Sequence, residues 1–488
     1  MNTPDAGRDT ARQAYTQARI AHWNRVAAEP LLRPGMSRNY RRRLRQVCRF
    51  LVPPGKRVLE LGCGRGELLA ALEPQQGIGI DFSPAMLEQA RQLHPRCVFV
   101  ERDVHELLSG PLPPELHKPP DVILLSDLVN DLWDVQETLS SIRRFCSPDT
   151  RIICNFHSHL WEAPAQWAQE LGAMTPRLEQ NWLTTDDMAN LLHLAGFEII
   201  RRFDDFLWPW STPLIEPLCN RWLAKLPPFR WLTLTHFMVC RLLEPQRKPD
   251  CVVSVVIPAR NEAGNIEAAV RRVPEMGAGT ELIFVEGGST DTTWAAVRQA
   301  VSQHPERRIK ALQQTGKGKG DAVRLGFSQA EGEVLMILDA DLTVPPESLP
   351  QFYEALMSGK AEFVNGVRLV YPQEKEAMRF FNLLGNKFFS WAFSWLLDRS
   401  VKDTLCGTKV LSRSHYQQLA ANRSYFGEFD PFGDFDLLFG AAKMNLRIVD
   451  LPVRYRERTY GDTNIQRWRH GALLLRMVLF AASRLKFI

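Results

Sequence analysis

Asp339 and Asp341 stand two residues apart at the end of the apolar run VLMIL. Two carboxylates at the end of a buried strand are costly unless something positive meets them, and such hard oxygen ligands suit Mg2+ or Mn2+ bridging a diphosphate. A helix cap with a solvated neighbour explains one acid, but three further segments of the same half carry residues of related chemistry. The strand VVSVVIP runs into Ala259-Arg260-Asn261-Glu262, the strand ELIFV ends in Glu286-Gly287-Gly288-Ser289-Thr290-Asp291, and Lys317-Gly318-Lys319-Gly320-Asp321 precedes a helix. An acid and an amide beside a helix start can hold a ribose and a base, and glycine-spaced lysines suit phosphate. The expected nucleotide contacts are Pro258, Arg260, Asn261, Glu262, Glu286, Lys319 and Asp339, with Asp339 and Asp341 as metal ligands and catalytic residues.

A second constellation lies earlier in the chain. The strand VLEL runs into Glu60-Leu61-Gly62-Cys63-Gly64-Arg65-Gly66 and then a helix. Glycines at every second position permit a tight turn and let a ligand lie against bare backbone at the helix start. Asp81 ends the next strand, where a carboxylate can accept both hydroxyls of a ribose, and Asp103 follows CVFVER, at the edge expected for the base. The spacing GxGxG differs from the dinucleotide GxGxxG.

Residues of this kind work at the ends of strands, so the elements around them matter. From Lys56 short apolar strands alternate with amphipathic helices: RVLEL and GELLAALE, GIGID and SPAMLEQARQL, then DVILLSD and RIICNF. The alternation restarts at CVVSVVIP, after a Trp-, Pro- and Leu-rich stretch from Trp208 to Leu243 and the linker-like LEPQRKPD. Alternation of this kind predicts an α/β chain of two mostly parallel, helix-covered sheets, one over 1–245 and one over 246–488. The basic run Arg41, Arg42, Arg43, Arg45 reads as a solvated helix face beside the first core.

At 488 residues, 45% hydrophobic and 24% charged, the chain has the length and composition of two globular cores, and a net charge of +5 calls for no nucleic-acid partner. The nine cysteines contain no CxxC pair and suit reduced thiols in a cytoplasmic protein. No secretory signal is expected from MNTPDAGRDTARQAY, and no apolar run reaches the about 20 residues of a membrane span.

The glycine turn, Asp81 and Asp103 in register resemble the class I S-adenosylmethionine-dependent methyltransferases, over roughly residues 45–243. The resemblance implies a Rossmann-like fold with Glu60, Gly62, Gly64 and Gly66 as the cofactor loop, Asp81 on the ribose and Asp103 by the adenine. It also places the substrate pocket from Ser126-Asp127 onward and matches LTTDDMANLLHLAGF with EIIRRF to the family's last helix and strand. His157 and His159 are candidates for a base on location alone, and His157 is carried as catalytic.

PARNEAGNI, VEGGSTD, GKGDAVRLGF, DADLTVPPE and RTYGDT, in that order, resemble the family 2 inverting glycosyltransferases of the dolichol-phosphate-mannose-synthase-like branch, over about 251–488. That implies a GT-A fold, a nucleotide-sugar donor and Mg2+ or Mn2+ on Asp339 and Asp341. Arg368, Asp403 and Arg458 become acceptor or leaving-phosphate contacts, and Glu286-Gly287 departs from the family's paired Asp. Asp434 falls where hydroxyl-glycosylating relatives carry a base, which a polyprenyl phosphate does not need. FFNLLGNKFFSWAFSWLL and RWRHGALLLRMVLFAASRLKFI mix apolar and basic residues as helices at a membrane interface do. The expectation is a bifunctional transferase with a lipid-linked phosphate acceptor and peripheral contact at the inner membrane face. The alternative is a hydroxyl or glycan acceptor, with the first half serving as a cofactor-binding regulatory or scaffolding module.

Overall fold

Buried apolar runs such as VILLS at 122–126 and VLMI at 334–337 have no polar face to show to water, so each lies inside a sheet covered by helices. A computed structural model describes residues 5–28, 36–107, 114–170, 178–243, 249–368, 380–423, 434–456, 458, 460 and 475–487. The chain divides into two units, Met1–Glu244 and Pro245–Lys486.

In the first unit β1 (Arg57–Leu61), β2 (Gln76–Asp81), β3 (Val98–Glu101), β4 (Val122–Ser126), β5 (Arg151–His157), β6 (Phe197–Asp205) and β7 (Thr235–Leu242) form one sheet in the order β3-β2-β1-β4-β5-β7-β6. β7 runs antiparallel to both neighbours, and the other pairs are parallel. The order reverses between β1 and β4, which opens the crevice where a doubly wound sheet binds its ligand. Leu59, Leu61, Ile78, Ile80, Ile123, Leu125 and Ile152, all 0% exposed, make the core under it. β7 lies within the Trp- and Pro-rich stretch from Trp208 to Leu243, and its pairing with β5 and β6 is long-range, so no local pattern announces it.

The basic N-terminal stretch forms two helices, α1 (Asp5–Ala27) and α2 (Met36–Leu51). The solvated-face expectation fails at Arg43. Its guanidinium forks onto Asp205 at 2.9 and 3.0 Å, Lys225 bonds the same carboxylate, and all three are buried. Burial pushes the Asp205 carboxyl up, but Arg43 and Lys225 outweigh it and hold the group well below the usual range.

In the second unit β8 (Val253–Ala259), β9 (Thr280–Glu286), β10 (Arg308–Gln313), β11 (Val334–Ile337), β12 (Phe363–Val367), β13 (Lys409–Ser412) and β14 (Ile448–Pro452) form a sheet in the order β10-β9-β8-β11-β13-β12-β14. β13 is the antiparallel member, paired with β11 and β12. The switch in order falls between β8 and β11, so the segment after Ala259 and the acids after Ile337 open on the same crevice. All nine cysteines are free thiols, and among the described residues no helix is long and apolar enough to cross a membrane.

Candidate active sites

At the end of β1 the backbone turns through Gly62, Gly64 and Gly66 with φ of +69°, +50° and +71°, a region that penalises side chains. A Cβ on Gly62 would lie 2.8 Å from Leu128 and one on Gly66 2.6 Å from the Phe99 ring, whereas one on Gly64 meets nothing within 4 Å. The outer glycines serve packing, and the middle one faces open space. Asp81 braces the turn, accepting from Gly64 N at 2.8 Å and Ser83 N at 2.9 Å, while burial raises its pKa. Behind it Glu60 is 3% exposed, and its Oε2 has no hydrogen-bond partner among the described residues. Burial, reinforced by Asp81 and Asp127 and opposed by the Leu69 N–H, pushes the Glu60 carboxyl up to about 8. A bare glycine backbone, a strand-end carboxylate and a buried acid with one unpartnered oxygen form a donor set that fits a cationic nucleoside, as S-adenosylmethionine is.

α1 covers this turn. Asn24 Oδ1 accepts from Ser83 Oγ at 2.7 Å, Arg65 donates to the carbonyls of Val26 and Ala27 at 3.0 Å, and Thr16 donates to Asp103 Oδ2 at 3.2 Å. Asp103 Oδ1 meets His105 N and Nδ1, each at 2.9 Å, so this carboxylate closes a helical turn and anchors α1. Beside it His22, Trp23, Asp127, Asp131, Leu178 and Gln180 line a cavity of about 110 Å3. Asp127, with φ of +53°, accepts from Tyr40 OH at 2.6 Å and Asn155 Nδ2 at 2.5 Å, and His157 Nδ1 stands 3.6 Å away. The buried His157 backs this carboxylate, whereas the exposed His159 pairs with Glu162 at 3.4 Å.

In the second unit Asp339 follows β11 and meets Lys319 Nζ at 2.6 Å. Burial raises the Asp339 pKa, and Lys319, then Arg368 and Lys409, overcome it and hold the carboxyl below its usual value. Asp341 accepts from Arg458 Nη2 at 2.8 Å and from Thr343 Oγ1 at 2.8 Å. Arg458 also reaches Glu262 Oε1 at 3.1 Å and thus joins the end of β8 to the end of β11. Burial raises the Glu262 pKa, with Arg458 opposing. Asn261, at φ +58°, accepts from Thr290 N at 2.8 Å, and Glu286 accepts from Ser289 N, so both organise the loop after β9. Pro258 is half-buried and Arg260 exposed on the same rim.

A glycosyl transferase family 2 model matches residues 254–417, and a methyltransferase domain model matches residues 36–202. The chain carries a methyltransferase domain and a family 2 glycosyltransferase domain. Both belong to enzyme families. The glycosyltransferase half is similar to dolichol-phosphate mannosyltransferase of Pyrococcus furiosus, 28% identical over 44% of this chain and 59% of that protein. It is also similar to undecaprenyl-phosphate 4-deoxy-4-formamido-L-arabinose transferase of Pectobacterium carotovorum, 35% identical over 43% of this chain and 62% of that protein. The chain therefore spans about three fifths of these relatives' lengths. Magnesium protoporphyrin IX methyltransferase of Synechocystis aligns over 48% of this chain and 99% of its own, with a TM-score of 0.33 and 16% identity.

Two expected acceptor residues of the glycosyltransferase domain are placed differently by the structure. Arg368 Nε and Nη2 fork onto Asp403 at 2.8 and 3.0 Å, and Arg368 N adds a third bond at 3.0 Å. Both are buried, so Asp403 holds Arg368 and the loop after β12 in place and is not an open pocket acid. Asp434 begins the helix Asp434–Lys443, and its side chain lies outside the described residues. One contributor, Lys409, escaped the sequence reading, whereas Gly407, in the segment KDTLCGTK, matches the glycosyltransferase branch. Gly407 lies so close to Asp339 and Lys319 that a Cβ there would fall 2.1 Å from Asp339 Oδ2, and the fully buried Lys409 donates to Asn365 at 2.7 Å. Nothing local marks Lys409.

Proposed function

We propose that the protein transfers a methyl group from S-adenosylmethionine in its first domain and a sugar from a nucleotide donor to a polyprenyl-phosphate-type acceptor, with inversion, in its second. The carrying observation is the pair Asp339 and Asp341 in one crevice with Lys319, Glu262 and Arg458. Each acid of the pair is in direct contact with one cationic side chain, and together they offer the hard oxygens that a divalent cation takes. When bound, Mg2+ or Mn2+ would sit on Asp339 and Asp341 and stabilise the departing diphosphate. Lys319, at the start of its helix, then meets phosphate oxygens, and Arg458 keeps the two sides of the crevice in register.

The names of the relatives, a dolichol-phosphate and an undecaprenyl-phosphate transferase, favour a lipid-linked phosphate as acceptor. Such an anionic oxygen needs no base, which leaves Asp434 outside the chemistry. Exposed Phe388 and Trp391 beside Lys387, with exposed Leu475 and Leu479 beside Arg476, support peripheral contact with an anionic bilayer from the cytoplasmic side. The test is incubation with labelled UDP- and GDP-sugars, Mg2+ and undecaprenyl phosphate. A labelled lipid supports the reading, and label transferred only to a hydroxyl compound overturns it.

A further inference from the structure

We infer that the methyl acceptor is a sugar ring presenting a neutral hydroxyl, bound in the cavity between α1 and the loop after β4. The inference rests on the reading of the first domain as a methyltransferase, and it deepens that reading by naming the substrate class. The cavity of about 110 Å3 lies past β4, on the opposite side of the glycine turn from β2 and Asp81, and it has room for no more than one ring. Its walls are Asp127 and Asp131, the amide of Gln180, the imidazole of His22, the indole of Trp23 and one aliphatic side chain, Leu178.

The lining selects among acceptor classes by charge. Two carboxylates on one small cavity repel a phosphate or carboxylate acceptor. Nor are they bare counter-ions waiting for an ammonium. Asp131 accepts from Gln180 at 3.3 Å and has Arg19 at 3.9 Å, and Asp127 already takes Tyr40 and Asn155 with His157 behind it. Carboxylates compensated in this way act as hydrogen-bond acceptors. An amide and an imidazole add both donor and acceptor positions, which is what neighbouring hydroxyls need. Trp23 gives a flat apolar face on which the C–H side of a sugar ring can lie.

Asp127 is the acceptor-side residue best placed to serve the transfer. Its carboxylate is oriented by Tyr40 from α2 and Asn155 from β5, two elements outside the loop that carries it. In the step, a bond forms between the sugar hydroxyl oxygen and the methyl carbon. The carbon–sulfur bond breaks with its electron pair left on sulfur, and the hydroxyl proton passes to Asp127.

Saturation-transfer NMR on the full chain in the presence of S-adenosylhomocysteine tests this, with methyl α-D-mannopyranoside, glycerol 3-phosphate and ethanolamine as probes. The glycoside should show saturation that falls at least fivefold in Trp23→Ala and Asp127→Asn and persists in Asp339→Asn. The last variant separates this cavity from the sugar-donor site. Saturation of ethanolamine or glycerol 3-phosphate with none of the glycoside overturns the inference, as does glycoside saturation that survives Trp23→Ala and Asp127→Asn or disappears in Asp339→Asn. Calorimetry with S-adenosylhomocysteine on every variant is the separating control. If wild type fails to bind it, the methyltransferase reading itself is wrong; if it binds while the glycoside does not, only the acceptor class is.

Discussion

Glu60 should make cofactor binding strongly pH-dependent. With its carboxyl at about 8 in the free domain, Glu60 is mainly protonated at pH 7, and ionising it there costs about 1.4 kcal/mol, one unit's worth. A cationic sulfonium nucleoside on the glycine turn favours the ionised form, so binding must release a proton. If the bound-state pKa falls below 6, affinity for S-adenosylmethionine rises ~40- to 75-fold between pH 6 and 8.5, and between about 0.8 and 0.9 proton leaves per site at pH 7. Folding runs the other way. A carboxyl raised in the fold contributes stability that is full below its unfolded value of 4.5 and is lost as pH climbs towards 8, a span worth about 5 kcal/mol at most. Glu60→Gln should therefore stabilise the ligand-free domain at pH 8 while weakening the cofactor and flattening its pH slope; the residual slope is the ligand's own titration. Calorimetry in two buffers of different ionisation enthalpy counts the proton, and thermal melts give the stability. Unchanged affinity from pH 6 to 8.5 with no proton released would refute the reasoning, because the orphaned oxygen would then not face the ligand.

Asp339→Asn or Asp341→Asn should abolish sugar transfer in the labelled-lipid assay and leave S-adenosylmethionine affinity within twofold, and sugar transfer surviving excess EDTA would remove the metal from the scheme. Arg458→Ala frees two acids, Asp341 and Glu262, to repel each other and the donor, so its loss of turnover should exceed that of Asp434→Asn, which should stay within about tenfold because loss of a needed base costs 10²- to 10⁴-fold. Asp205→Ala leaves Arg43 and Lys225 buried without their anion and should destabilise the first domain by about 3–5 kcal/mol in denaturant melts. Because the Asp205 pKa is depressed, its stabilisation is present above the ordinary 3.8 and drains away as pH falls below it, so the acid limb of a stability profile should shift in the variant.

What was legible in the sequence was whatever depends on neighbours in the chain. The turn Gly62-Gly64-Gly66, the Asp81 that braces it and the acids at Asp339 and Asp341 each follow an apolar strand, and strand ends are where a doubly wound sheet binds ligands. What was not legible depends on pairs far apart. Arg368 and Asp403 are 35 positions apart and read singly as acceptor contacts; together they are a buried fork that leaves neither open. Arg43 sits among four arginines whose spacing says only that the helix is basic, and its partner Asp205 lies 162 residues on. The acceptor side of the methyltransferase domain is the extreme case. Tyr40, Asp127, Asn155 and His157 converge from α2, the end of β4 and β5; the family resemblance marks Asp127 and location alone marks His157, but nothing in the chain marks Tyr40 or Asn155 or says that the four meet. Chemistry that uses backbone and one strand end can be read from a motif. Chemistry that selects an acceptor is assembled from separate elements, so no single motif carries it.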